Sequence, residues 1–196
     1  AIAEAQQPAK GRRIGYLGLD IATNPGRFDA FRQGLGQLGY TEGKNIIFEI
    51  RNADGKFDRL NELAAALVRL RVDVIVTRGP SPTRAAKAAT STIPIVMTQD
   101  PDPVGNGFVA SLAKPGGNIT GLSSLAPELG GKRLEILREV VPKLSRVAVL
   151  GNSTQPGTAQ SLREVELAAG ALGVKLQSLN VLSPEDIETV FRAASK

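Results

Sequence analysis

Residues 72–98 read VDVIVTRGPSPTRAAKAATSTIPIVMT, and this stretch decides the fold class. Val72–Thr77 is a short apolar run rich in β-branched residues, the composition of a strand buried on both faces. Ser81-Pro82 then opens a short Ala-rich helix over Thr83–Ala89, and Ile93–Thr98 is a second apolar run. Strand, helix and strand in this order make a βαβ unit with parallel strands.

The same alternation extends in both directions. Upstream, Arg13–Leu19 is a β-type run ending in Gly18-Leu19-Asp20, and Phe28, Phe31, Leu35 and Leu38 follow at helical spacing until Gly39. Asn45–Ile50 is the next strand, and Phe57, Leu60, Leu63, Ala64, Leu67 and Val68 form the stripe of a further helix. Downstream, Asn118–Leu122 is the fifth strand. Residues 13–123 are thus expected to form a Rossmann-like α/β lobe with a mainly parallel sheet. After Ser123-Ser124 and Pro127, a plausible hinge, the pattern restarts. Glu128–Val141, Pro156–Leu172 and Pro184–Ala194 read as helices, the last with Ser183 as N-cap; Arg146–Leu150 and Val174–Val181 read as strands. Two strands do not make an independently stable sheet. Residues 124–196 are therefore expected to be an incomplete second α/β lobe that draws strands from elsewhere or continues beyond Lys196. Residues 1–12 are Ala/Gln/Pro-rich, lack periodicity and read as a flexible lead-in. The start Ala1-Ile2-Ala3, without Met, fits a processed secretory protein or a shortened chain.

Composition narrows the chemistry. The chain has no His and no Cys, which removes the usual zinc ligands, the neutral-pH proton shuttle and every thiol mechanism. No cofactor is expected, and no acid–base pair stands at a recognisable catalytic spacing. The formal charge is +5, but the basic residues are dispersed and aromatics are 4% of the chain, too few for base-stacking platforms. Nucleic acid is not expected as a partner. No apolar run reaches the length needed to span a bilayer, so direct membrane insertion is not expected either.

Candidate binding residues gather at strand ends, where open parallel sheets bind ligands. In Thr77-Arg78-Gly79-Pro80-Ser81-Pro82-Thr83, backbone N–H groups and hydroxyls are expected to converge at a positive helix end suited to a carboxylate; the alternative is an N-cap by Ser81 that needs no ligand. Thr98-Gln99-Asp100 ends the next strand, and its carboxylate is expected either to receive a ligand ammonium or to cap the following turn. Asp20 follows the first strand, and Asn152 follows the first strand of the second lobe. Val104-Gly105-Asn106-Gly107-Phe108-Val109-Ala110 matches a loose dinucleotide fingerprint, but it lies in a loop after Pro101 and Pro103 and reads as a turn into a short helix.

An ordered series of these motifs resembles the ABC-transporter substrate-binding family that includes the tryptophan- and tyrosine-type receptors. The series is Phe31-Arg32-Gln33-Gly34-Leu35 with Leu38-Gly39-Tyr40-Thr41-Glu42-Gly43-Lys44-Asn45, then Arg51-Asn52-Ala53-Asp54-Gly55, Ile93-Pro94-Ile95-Val96, Asp102-Pro103-Val104-Gly105 and Pro115-Gly116-Gly117-Asn118-Ile119-Thr120-Gly121. The resemblance implies a type I periplasmic-binding-protein fold, with two α/β lobes closing on a small-molecule ligand. It also implies export to the periplasm with the signal peptide removed, and delivery of solute to a membrane permease. Its site residues would be Asp20, Thr77, Gly79, Ser81, Thr83, Thr98, Asp100, Ser123 and Asn152. The chain departs from the family pattern at Arg78 and Pro80, where the family usually has a small residue and Thr. An amino acid or small carboxylate is the expected ligand. A small-molecule sensor and an α/β enzyme working without His or Cys remain alternatives.

Overall fold

The computed structural model describes residues 11–22, 25–124, 128–151, 158–183 and 185–194. The chain divides into two compact units: the described residues of Ala1–Gln99 with Phe108–Leu122, and Asp100–Gly107 with those of Ser123–Lys196. The second unit thus takes in the segment 100–107, which the sequence reading assigns to the first lobe.

The first unit alternates strands and helices. These are β1 (Arg12–Gly18), α1 (Pro25–Gln37), β2 (Ile46–Asn52), α2 (Leu60–Arg69), β3 (Val74–Thr77), α3 (Pro80–Ala89), β4 (Ile95–Asp100) and β5 (Ile119–Ser123). The strand order is β2-β1-β3-β4-β5. β1 is parallel to both β2 and β3, and β3 is parallel to β4. At the β4–β5 edge the Ile95 N–H donates to Asn118 O (2.7 Å) and the Ser124 N–H to Asp100 O (2.9 Å), so the partners rise in step as in a parallel pair.

The period-two alternation of the strands sorts their side chains onto two faces. Leu17, Ile75, Ile95 and Met97 pack with Leu60, Ala64 and Leu67 of α2 and Ala85 and Ala86 of α3. On the opposite face Ile14, Tyr16, Ile46 and Val76 meet Phe28, Phe31 and Leu35 of α1. The Tyr16 and Phe28 rings stand edge to face at 5.0 Å, and Phe28 meets Phe48 in the same manner at 5.4 Å. Helix α1 stops where the sequence indicates: Gly39 has φ +86, and the Tyr40 N–H donates to Leu35 O at 2.9 Å, closing a Schellman turn. Gly121 is required for a different reason. Its φ is +148, and a Cβ there would lie 2.1 Å from the Met97 carbonyl oxygen on the neighbouring strand.

The second unit contains α4 (Glu128–Val140), β6 (Arg146–Gly151), α5 (Thr158–Leu172), β7 (Lys175–Asn180) and α6 (Asp186–Ala194). β6 and β7 form a two-stranded parallel sheet. Its buried centre is Leu134, Ala169 and Val174, flanked by Val147, Val165, Leu172 and Leu176. Leu150, Leu182, Ile187 and Phe191 line an open apolar hollow and are all exposed. The last helix is regular from Asp186, whose Oδ2 accepts the Leu182 and Ser183 N–H groups at 2.9 Å each, the reach back to the N-cap found in a capping box led by Ser183; Pro184 lies outside the described residues. No described helix is long and apolar enough to cross a membrane.

Candidate functional site

The strand order β2-β1-β3 means that the chain leaves β1 to one side and returns to the other, so β1 and β3 flank a topological switch point. Crossover helices diverge there, and a crevice opens beyond the strand C-termini. The first unit has a small, partly open pocket at that place, with a volume of about 80 Å³. It is lined by Tyr16, Gly18, Leu19, Asp20 and Ile21 from the end of β1 and the loop after it, by Arg27 and Phe28 from the first turns of α1, and by Arg78 just after β3.

The floor of this pocket is fastened by backbone hydrogen bonds. The Ala53 N–H donates to Gly18 O (3.0 Å) and the Gly55 N–H to Leu19 O (2.8 Å). The Ile21 N–H donates to Asn52 Oδ1 (3.0 Å), whose Nδ2 in turn donates to Asp54 Oδ1 (2.8 Å). The motif Arg51-Asn52-Ala53-Asp54-Gly55 therefore holds the loop after β1 in place. Gly18 permits close packing, since a Cβ there would meet the Ile21 side chain at 2.5 Å.

Two guanidiniums set the electrostatics. Arg78 is partly withdrawn from solvent, and one of its amino groups donates to Gln99 Oε1 at 2.9 Å. Burial holds its pKa below the ordinary arginine value, repulsion from Arg27 adds to this, and Tyr16 opposes it. Burial pushes the Tyr16 hydroxyl up, while Arg78 and Arg27 pull it down. Tyr16, Arg27 and Arg78 therefore act on one another at one end of β1. Asp20 is exposed at the mouth of the pocket.

The residues of the Thr77–Thr83 turn serve largely to hold the turn together. Thr77 and Thr83 are fully buried and their hydroxyls bond each other at 2.8 Å. The Thr83 hydroxyl also donates to Gly79 O (2.8 Å), and the Gly79 N–H donates to Gln99 O (2.9 Å). Thr98 Oγ1 donates to Thr77 O at 3.0 Å. Helix α3 starts at Pro80, earlier than the sequence indicates, with Gly79 rather than Ser81 at the N-cap and φ +83. Its first turn accordingly contains Pro80 and Pro82, which have no N–H, and the Thr83 N–H is directed at Gly79 O (3.4 Å). The expected cradle of N–H groups is thereby reduced chiefly to that of Ser81, which is half-buried.

In the second unit Asp100 is fully buried, and its Oδ1 accepts the Asp102 N–H and the Asn106 Nδ2 at 2.9 Å each. Through Oδ1 the carboxylate caps the turn, one of the two roles weighed for it. The Gly105 N–H donates to Asp102 Oδ1 (2.7 Å), so residues 102–107 form a turn, and the short helix expected after it is not formed at 103–110. Ser123 ends β5 next to the Ser124–Asp100 backbone bond. Asn152 lies outside the described residues. Of the pocket's lining only Asp20 stands among the expected site residues; Tyr16, Arg78 and Arg27 do not, and Arg27 lies outside every motif singled out in the sequence. The signal available was its place in the first turn of the helix after β1, on the same sheet edge as Arg78.

A parallel sheet in this order, with a charged pocket at its switch point, is the α/β lobe architecture of the type I periplasmic binding proteins. The chain belongs to the ABC transporter substrate binding protein family, whose model matches residues 25–196. It is 34% identical over 125 residues to the "Tyrosine-binding protein" of Clostridioides difficile, a match that covers 64% of this chain and 36% of that protein. A conserved domain protein from Vibrio cholerae superposes with a TM-score of 0.80 at 33% identity, covering 94% of this chain and 62% of the other. An ABC domain from Streptococcus pneumoniae, solved with L-Trp, superposes with a TM-score of 0.82 at 22% identity, covering 93% and 61%. The chain thus spans less than two thirds of the length of these relatives. The family is one of substrate-binding proteins, not enzymes.

Proposed function

We propose that the protein is the solute-binding component of an ABC import system and takes a small acid, an amino acid or a simple carboxylate, at the β1/β3 switch point. The observation that carries this reading is the pocket itself, which combines Arg27, Arg78 and Asp20 above a floor held by Asn52. Arg78, partly withdrawn from water, attracts a carboxylate more strongly than a fully solvated guanidinium does, and the exposed Arg27 adds to the positive field. The ligands named for the Clostridioides difficile and Streptococcus pneumoniae relatives, tyrosine and L-Trp, also carry carboxylates and support this class. Ligand capture would close two lobes on the solute, and the closed form would be what a membrane permease recognises. Function in this role requires export, to the periplasm in a cell with two membranes.

A thermal-shift screen of the purified protein against amino acids, carboxylates and sugars tests the reading. A ligand at one hundred times its Kd stabilises the folded state by about 2.7 kcal/mol, which is readily seen as a rise in Tm. A carboxylate-bearing compound is expected to produce that rise. No shift from any of the three classes contradicts the receptor reading, and turnover of some compound would replace it with an enzyme.

A further inference from the structure

The pocket at the end of β1 carries more positive charge than a zwitterion calls for. Its lining sets two guanidiniums, Arg27 and Arg78, against one carboxylate, Asp20. Asp100, the other acid considered as an ammonium partner, is fully buried and bonded to Asp102 and Asn106. The Thr77–Thr83 turn supplies little of the anion binding that a helix N-terminus ordinarily provides, because Pro80 and Pro82 occupy its first turn. Recognition of negative charge therefore rests on the arginine pair. Two guanidiniums that line one pocket and disfavour each other's charge lose part of that penalty when an anion binds there, and each can gain a charge-assisted hydrogen bond. A ligand bearing an ammonium beside its carboxylate brings part of the repulsion back.

We propose that Arg27 and Arg78 select small organic acids of net negative charge, such as 2-oxo acids and dicarboxylates, over zwitterionic amino acids of the same skeleton. The proposal rests on the receptor reading and narrows it. The two arginines play different parts. Arg78 is half-buried and holds one hydrogen bond to Gln99, whereas Arg27 is exposed on the first turn of α1 and is the more adaptable partner.

Isothermal titration of the purified protein with two matched pairs tests it: phenylpyruvate against phenylalanine, and glutamate against glutamine. Phenylpyruvate and glutamate are expected to bind about tenfold or more tightly than their zwitterionic partners, the size of one charge-assisted contact. Arg27→Gln and Arg78→Gln are each expected to bring the preference within about threefold, whereas loss of a merely structural residue would weaken both members of a pair alike. Arg78 is bonded to Gln99, so its replacement risks the fold; Arg27 is exposed, and its variant carries the test alone if the other does not fold. Zwitterions that bind as tightly as the anions, or a preference unchanged in Arg27→Gln, overturn the proposal. Binding of an uncharged sugar with none of the four overturns it too, yet leaves the receptor reading standing. No heat from the four compounds and no thermal shift in the wider screen is the failure of the receptor reading itself.

Discussion

The two units are written in the same alternating pattern and reach different degrees of closure. The first has five strands with helices over both faces, and Leu17, Leu67, Ile75 and Ile95 have no exposed surface at all. The second has, among its described residues, two strands, three buried hydrophobic residues at its centre, and exposed Leu150, Leu182, Ile187 and Phe191 around a shallow hollow. Periodicity specifies which face of each element is apolar. The number of neighbouring elements decides whether that face is covered. A pocket built on the first unit therefore rests on a rigid sheet, and packing defects should be felt more strongly there than in the second.

The largest expected effect comes from the first core. Leu67→Ala removes a side chain with 0% exposure from beneath β1 and β3 and is expected to cost about 4 kcal/mol. Urea unfolding read through hydrogen exchange of the β3 amides would measure it. Next comes Gly121→Ala, which sets a Cβ against the Met97 carbonyl at a strained φ; about 3 kcal/mol is expected, read from the β4 amides. Leu134→Ala in the second unit should cost only about 2 kcal/mol, because its open surroundings collapse more easily around the lost methyls. A Leu134→Ala cost equal to that of Leu67→Ala would break the contrast between the units. The smallest effect is electrostatic. Hydrogen bonds from the Ser183 and then the Leu182 N–H hold Asp186 below its ordinary pKa. A depressed folded-state pKa stabilises above the unfolded value and is lost as pH falls through the folded one. Protection of the α6 amides, relative to their intrinsic exchange rates, should therefore fall slightly below about pH 4 while that of β3 does not, and Asp186→Asn should abolish the difference.

Much of the first unit was legible in the sequence, because a strand buried on both faces holds a continuous apolar run, as at Val74–Val76 and Ile95–Met97, although both strands begin two residues later than the expected bounds. The Gly39 stop was legible because a left-handed C-cap favours glycine. Strand ends were a sound guide to where polar groups collect, but not to what those groups do. Thr77, Thr83 and Thr98 bond one another's chain segments, and Asp100 caps its own turn, since a hydroxyl or carboxylate at a strand end has backbone partners within reach. Arg27 was invisible for the opposite reason. Nothing in its immediate neighbours marks it, and it joins the site only because β1 and β3 are adjacent while α1 and α3 diverge. The role of Asn52 depends likewise on the parallel register of β1 and β2.

The central claim is that a small acid binds at the β1/β3 switch point of the first unit. Hydrogen exchange of the protein with and without saturating phenylpyruvate tests it most directly. The account predicts slowed exchange concentrated in peptides spanning Tyr16–Ile21, Arg27–Phe28 and Arg78–Arg84, with smaller changes elsewhere. Protection confined to the hollow at Leu150, Leu182, Ile187 and Phe191, with none around Tyr16 and Arg78, would contradict it.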